Sequence, residues 1–183
     1  MSKSENIEAK LLKACLKNDR KAQSQLYEKY KVAMFNLCQR YAKNSEEAED
    51  ILQEGFFKVF TNLEKFRGES TLGGWIKGVM INTALMHLRT ENRKLFPTVP
   101  LDGLESDFAS DEDVFEQFGA SAILQMLQQL PPGYRAVFSL YAVEGFSHKE
   151  IAQKLDILES TSRSQFLRAK ALLKKSLERH ILS

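Results

Sequence analysis

The chain has 183 residues, 43% hydrophobic and 27% charged, the balance of a soluble globular protein with one domain or two small ones. Nine Gly and four Pro are few for a sandwich or barrel, no apolar run is long enough to span a bilayer, and charges recurring from Lys3 to Arg20 leave no signal-peptide core. The net charge of +2 conceals segregation: residues 58–94 carry seven bases against three acids, 95–134 seven acids and no base, and 147–183 eight bases against four acids. Two basic blocks suited to a polyanion therefore flank an acidic one.

Apolar residues at helical spacing predict helices over residues 5–17 and 21–43. Cys15 and Cys38 fall in these two, far apart and without a second pair to make a metal site. They read as buried thiols of a reducing, cytoplasmic compartment. In the third helix, Ile51–Leu63, the residues Leu52, Phe56, Val59, Phe60 and Leu63 share one face, and Asn44 followed by Glu47 forms a capping pair at its start. A fourth helix begins after Ser70-Thr71 and runs to Lys94, with Leu72, Trp75, Ile76, Val79 and Thr83 inward. Residues 96–113 hold Pro97, Pro100 and clustered Asp and Ser with no apolar period, the signature of a linker.

Beyond the linker, Ala120–Leu130 is amphipathic and ends at Pro131-Pro132, and a second helix, Gly133–Val143, stops near Gly145. Ser147-His148-Lys149-Glu150 is a capping box that opens a short helix to Leu155. A tight break at Asp156-Ile157 precedes a long helix, Glu159–Leu182. A short helix, a turn of a few residues and a longer helix make a helix-turn-helix. No alternating strand and no repeat is visible. The expected fold is all-α, two small helical domains (residues 1–95 and 120–183) joined by an acidic linker, 96–119.

Three faces in this scheme are not accounted for by packing alone. On the last helix, Ser160, Arg163, Ser164, Leu167, Arg168, Lys174 and Lys175 cluster on one side, while Ser162, Phe166, Ala169, Leu173 and Leu177 face inward. A recognition helix needs this division, because Arg reads guanine edges and Ser and Lys hold phosphates. The plain alternative is a solvated basic face. In the third helix, Asp50, Gln53, Glu54 and Phe57 lie away from the apolar stripe, an aromatic beside carboxylates that suits a basic partner surface. For Asp50 alone, complementing the helix dipole is sufficient reason. In the fourth, Gly78, Asn82, Met86, Arg89 and Arg93 lie beside the loop Phe66-Arg67-Gly68-Glu69-Ser70-Thr71, an array suited to an unstacked strand. Trp75 is better read as core. His87, His148 and His180 are scattered and read as surface or cap residues. No nucleophile, paired His or phosphate-cradling loop accompanies the acids, so the chain reads as a non-enzyme.

The run from Glu49 to Phe60, the loop Phe66–Leu72, Trp75-Ile76 and Asn82–Arg89 together resemble region 2 of the extracytoplasmic-function group of bacterial sigma factors. Leu130–Phe138, Glu144–Ala152 and the segment through Arg168–Lys170 resemble their region 4. The resemblance covers nearly the whole chain in the family's order. It implies a two-domain initiation factor, with no cofactor, metal or small-molecule substrate and no membrane insertion, that gives core RNA polymerase its promoter specificity. By matching position, Asp50, Gln53 and Glu54, with Phe57 beside them, dock on the polymerase. Phe66 and Asn82 capture a base of the melted −10 element, with Arg67, Lys77, Arg89 and Arg93 as basic groups near the strand. Arg163, Ser164, Leu167, Arg168 and Lys174 meet the −35 element. The acidic connector threads the RNA exit channel, and a separate anti-sigma factor restrains the protein.

Four positions depart from the family pattern. Met86 stands where Asp is common, Asp156 where the turn usually has Gly, Leu158 where a Ser cap is usual, and Gln165 where a base is frequent. Asp156 tolerates the left-handed conformation the turn requires, Leu158 shifts the expected helix start toward Ser160, and Gln165 removes a phosphate contact. Two competing readings remain open: a stand-alone helix-turn-helix regulator, which leaves the Asp50–Phe57 and Phe66–Arg93 faces unexplained, and a helical adaptor that binds no DNA.

Overall fold

A computed structural model describes residues 3–91 and 120–181; the acidic linker and Arg93 lie outside them. The described residues form eight α-helices and no strand: α1 (Lys3–Leu16), α2 (Arg20–Gln39), α3 (Ser45–Thr61), α4 (Leu72–Glu91), α5 (Ala120–Gln129), α6 (Pro132–Phe138), α7 (His148–Leu155) and α8 (Glu159–Ile181). A 3₁₀ turn, Leu63–Lys65, follows α3, and a π turn, Ser139–Val143, extends α6. Two compact units result, one of the chain up to Cys38 together with Ser45–His87, the other of Gln39–Asn44 together with the chain from Leu88 onward.

In the first unit α1 ends at Leu16, and Asn18 turns the chain in the left-handed region (φ 58°). Asp19 then caps α2, its carboxylate accepting from the backbone N–H of Lys21 (2.8 Å) and Ala22 (3.1 Å). Glu8 of α1 accepts from the Tyr30 hydroxyl and from Lys29 of α2, each at 2.6 Å. These two bonds hold the Glu8 carboxyl below the usual range, and burial together with the same Glu pushes the Tyr30 hydroxyl well above its own. The core is Leu26, Leu37, Ile51, Phe56, Val59, Ile76, Met80 and Ala84. Cys15 and Cys38 are buried thiols, and desolvation raises the Cys15 thiol pKa.

Close approach of α3 to α4 depends on Gly55. A Cβ there would stand 2.2 Å from the sulfur of Met80, which is fully buried. Glu47, expected as a capping residue, is itself buried, with its carboxylate 3.2 Å from Nε2 of His87 on α4.

In the second unit, Met126, Leu127, Leu130, Phe138, Ala169, Leu173 and Leu177 form one apolar cluster, flanked by Ile123, Tyr134 and Phe166. Pro131 and Pro132 end α5 and start α6, where a missing N–H costs nothing. The single helix expected over 133–143 is the seven-residue α6 followed by the π turn, closed by Glu144 N–H to Ser139 O and Phe146 N–H to Leu140 O, both 3.0 Å. Gly145 (φ 78°) then lets the chain reverse.

The capping box forms as expected: Ser147 accepts from the N–H of Glu150, whose carboxylate accepts from Ser147 N–H at 2.8 Å and Oγ at 2.7 Å. Those bonds lower the pKa of Glu150. Asp156 adopts the left-handed conformation at the C-cap of α7 (φ 55°, ψ 53°). The start of α8 differs from expectation. It begins at Glu159, one residue before Ser160, with Leu158 O accepting the first helical bond from Ser162 N–H at 3.1 Å.

Candidate functional site

Three surfaces carry the residues singled out above. On α3, Ile51, Leu52, Gly55, Phe56 and Val59 are buried, which turns Asp50, Gln53, Glu54 and Phe57 to solvent. Phe57 is 71% exposed, an unusual state for so large an apolar ring. Glu54 pairs with Lys58 one turn on, at 2.6 Å. An open cavity of about 330 Å³ adjoins this face, lined by Tyr27, Lys31, Val32, Phe35, Glu49, Leu52 and Gln53.

The second surface joins a loop to a helix. Asn62 ends α3 by donating to Lys58 O (2.9 Å) and accepts from Lys65 Nζ (2.6 Å). Gly68 has φ 76°, and Thr71 starts α4, its Oγ1 accepting from Gly74 N–H at 3.1 Å. Phe66 is half-buried against Trp75, ring centroids 5.7 Å apart, so Trp75 supports the loop from a half-buried position. Arg67, Asn82, Met86 and Arg89 are exposed and Lys77 is half-buried. A cavity of about 360 Å³ opens among Glu8, Ala9, Leu12, Phe66 and residues 68–72. Arg93 is outside the described residues.

The third surface is the helix-turn-helix of α7 and α8. Ser162, Ala169, Leu173 and Leu177 are buried as expected, while Arg163 and Lys174 are exposed. Arg163 pairs with Glu159 one turn before it. Leu167 and Arg168 are half-buried. Ser164 differs from expectation: it is buried, its hydroxyl donating back to Thr161 O at 2.9 Å. Gln165 is fully buried and so is not part of the exposed basic face. The sequence reading also missed His148, which is 8% exposed and bonded to Ser162 instead of lying at the surface. The signal available was its place as first residue after a capping box, opposite a Ser on the following helix.

Among the described residues there is no group of His, Cys, Asp and Glu that could hold a metal ion, and no helix is long and apolar enough to cross a membrane. The described residues are helical, and a short helix, a tight turn and a longer helix form the shape that many DNA-binding proteins place in the major groove. Two family models match, Sigma-70 region 2 over residues 26–94 and Sigma-70, region 4 over residues 120–173. The RNA polymerase sigma-H factor of Pseudomonas aeruginosa is 27% identical over 179 residues, covering 92% of each chain. The extracytoplasmic-function (ECF) sigma factor SigM of Mycobacterium tuberculosis is 28% identical over 94% of this chain and 86% of its own. The ECF sigma-E factor of Escherichia coli is 25% identical over 92% and 93%. A solved structure of CnrH in complex with the cytosolic domain of CnrY covers 92% of this chain and 96% of that one, at 19% identity and a TM-score of 0.48. The chain belongs to the sigma-70 family as an extracytoplasmic-function sigma factor, a transcription initiation factor that binds core RNA polymerase and directs it to −35 and −10 promoter elements.

Proposed function

We propose that the three surfaces divide the work of initiation. Asp50, Gln53, Glu54 and Phe57 dock α3 on core RNA polymerase: the carboxylates steer a basic partner surface and the exposed Phe57 supplies buried apolar area once docked. Phe66, held by Trp75, and Asn82 take up an unstacked base of the −10 strand, with Arg67, Lys77, Arg89 and Arg93 on its phosphates. The open cavity beside Phe66 supports this reading. Arg163, Leu167, Arg168 and Lys174 on α8 meet the −35 element in the major groove. Ser164 joins them as a hydroxyl that must leave Thr161 O to reach a phosphate.

The factor performs no chemistry itself; it supplies binding energy for strand opening and the polymerase makes the bonds. It works in the cytoplasm, where the polymerase is, and a separate anti-sigma chain restrains it. The acidic linker, with seven acids and no base in 95–134, follows the RNA exit channel, where a surface built for a polyanion attracts it. The single observation that carries the reading is the pairing, in family order, of an exposed acidic-aromatic helix face with a helix-turn-helix. The experiment is run-off transcription of fragmented bacterial DNA by core polymerase with and without the protein. Discrete new transcripts are expected, and their loss on changing Phe66 and Asn82 together to Ala. A footprint on duplex DNA with no transcripts and no co-elution with core would instead favour a stand-alone regulator.

A further inference from the structure

The helix-turn-helix contains an imidazole that direct DNA contact does not use. His148 is the first residue of α7. Its ring stacks on Tyr141 of the π turn, centroids 4.3 Å apart and planes 13° from parallel, and stands edge-on to Phe166 of α8 at 5.8 Å. Tyr141 also meets Phe166 at 4.5 Å, which closes the aromatic triangle. Nδ1 of His148 lies 3.0 Å from Oγ of Ser162, itself fully buried on α8.

The arrangement has a geometric consequence. The other buried residues of α7 are Ile151 and Leu155, and apolar contacts of that kind tolerate sliding and rotation between two helices. A buried hydrogen bond does not, because it has a narrow optimum and leaving it unmade is costly. The π turn contributes by placing Tyr141 over the ring. Ser162 is followed directly by Arg163, and Leu167 and Arg168 come within two further turns of the same helix. Any rotation of α8 at Ser162 therefore carries those side chains with it.

We propose that His148 is a positioning residue for −35 recognition: through Ser162 it fixes the rotation of α8, and with it the placement of Arg163, Leu167 and Arg168 in the major groove. This rests on α8 being the −35 reader. The imidazole works uncharged. Burial, and after it the Arg163 guanidinium, hold its pKa below the ordinary His value, with Glu159 opposing. Arg163 and Glu159 are the charged groups that act on it from α8, and the π turn presents the Tyr141 phenol. On α7 itself Lys149 is exposed and Glu150 is engaged by Ser147. A His with a lower pKa folded than unfolded takes up protons on unfolding. Its contribution is complete above the unfolded value of about 6.5 and declines as pH falls below it.

The test uses the full chain with core RNA polymerase and, as probe, a promoter duplex recovered from the run-off transcription above. His148→Phe keeps a stacking ring and removes Nδ1; Ser162→Ala removes the partner. His148→Asn offers an amide near the Nδ1 position that bonds Ser162 and does not titrate. Near neutral pH, His148→Phe and Ser162→Ala should weaken promoter binding about tenfold in protein that still melts cooperatively, while His148→Asn stays close to wild type. Wild-type affinity in both folded Phe and Ala variants overturns the proposal, as does a folded His148→Asn variant that binds as weakly as His148→Phe. Should His148→Phe fail to fold, Ser162→Ala decides alone. A wild-type holoenzyme that makes no transcripts overturns the initiation reading, and this proposal with it, whereas active wild type with indifferent variants overturns only the role of His148.

Discussion

In the first unit the proposed working groups stand ready on the surface: Asp50, Gln53, Glu54 and Phe57 on α3, and Arg67 and Asn82 on the loop and α4, are all exposed. On α8 of the second unit only Arg163 and Lys174 are; Leu167 and Arg168 are half-buried and Ser164 is covered. Both helix sets pack an apolar stripe, so packing alone does not make the difference. On α3 the spacing separates a core face from a display face cleanly. On α8 four polar residues, Thr161, Ser162, Ser164 and Gln165, are drawn into buried positions. The first unit therefore depends on what its side chains are, and the second depends as much on how its recognition helix is held.

The largest effect is expected at the first unit's loop. Phe66→Ala with Asn82→Ala should reduce open-complex formation about 10- to 100-fold, from the loss of about 1–3 kcal/mol of base stacking together with an amide contact. Core-polymerase binding should stay near wild type. Permanganate reactivity of the −10 thymines measures the first and co-elution the second. Unchanged thymine reactivity would remove both residues from strand capture.

A smaller effect sharpens the packing side. Gly55→Ala forces a methyl toward the buried sulfur of Met80 and should cost about 1–3 kcal/mol, several degrees in the melting temperature of the first unit. Gly78→Ala meets open space on α4 and should stabilise by up to about 1 kcal/mol through helix propensity. Equal melting temperatures for the two variants would show that α3 and α4 can separate without penalty. The smallest effect belongs to Lys174, exposed on α8: Lys174→Ala should lower the slope of log affinity against log salt by about 1 and leave base preference intact.

Much of this was legible in the sequence because it is local. The helix periods, the Ser147–Glu150 box and the left-handed turn at Asp156 depend on residues within a few positions of one another, and all three are present. The display face of α3 was legible for the same reason, since one stripe is apolar and the other is not. What did not show was decided across elements. His148 is buried by Tyr141, Phe166 and Ser162, which no local pattern joins. Gly55 matters through Met80, 25 residues on. Ser164 shares the periodicity of the exposed basic residues but is buried, its hydroxyl bonded back to Thr161 O. The π turn is hidden because its sequence continues a helical pattern that the backbone widens by one residue per turn.

Docking of α3 on the polymerase should use a face already displayed, independently of how α8 is held. Equilibrium binding of the labelled full chain to core RNA polymerase tests it most directly, comparing wild type with Asp50→Lys/Glu54→Lys and with Glu178→Lys, a reversal at an exposed acid on α8. At least a tenfold loss of core affinity is expected for the α3 double reversal, as for a desolvated charge contact, and little change for Glu178→Lys. Equal affinities for all three proteins would contradict it.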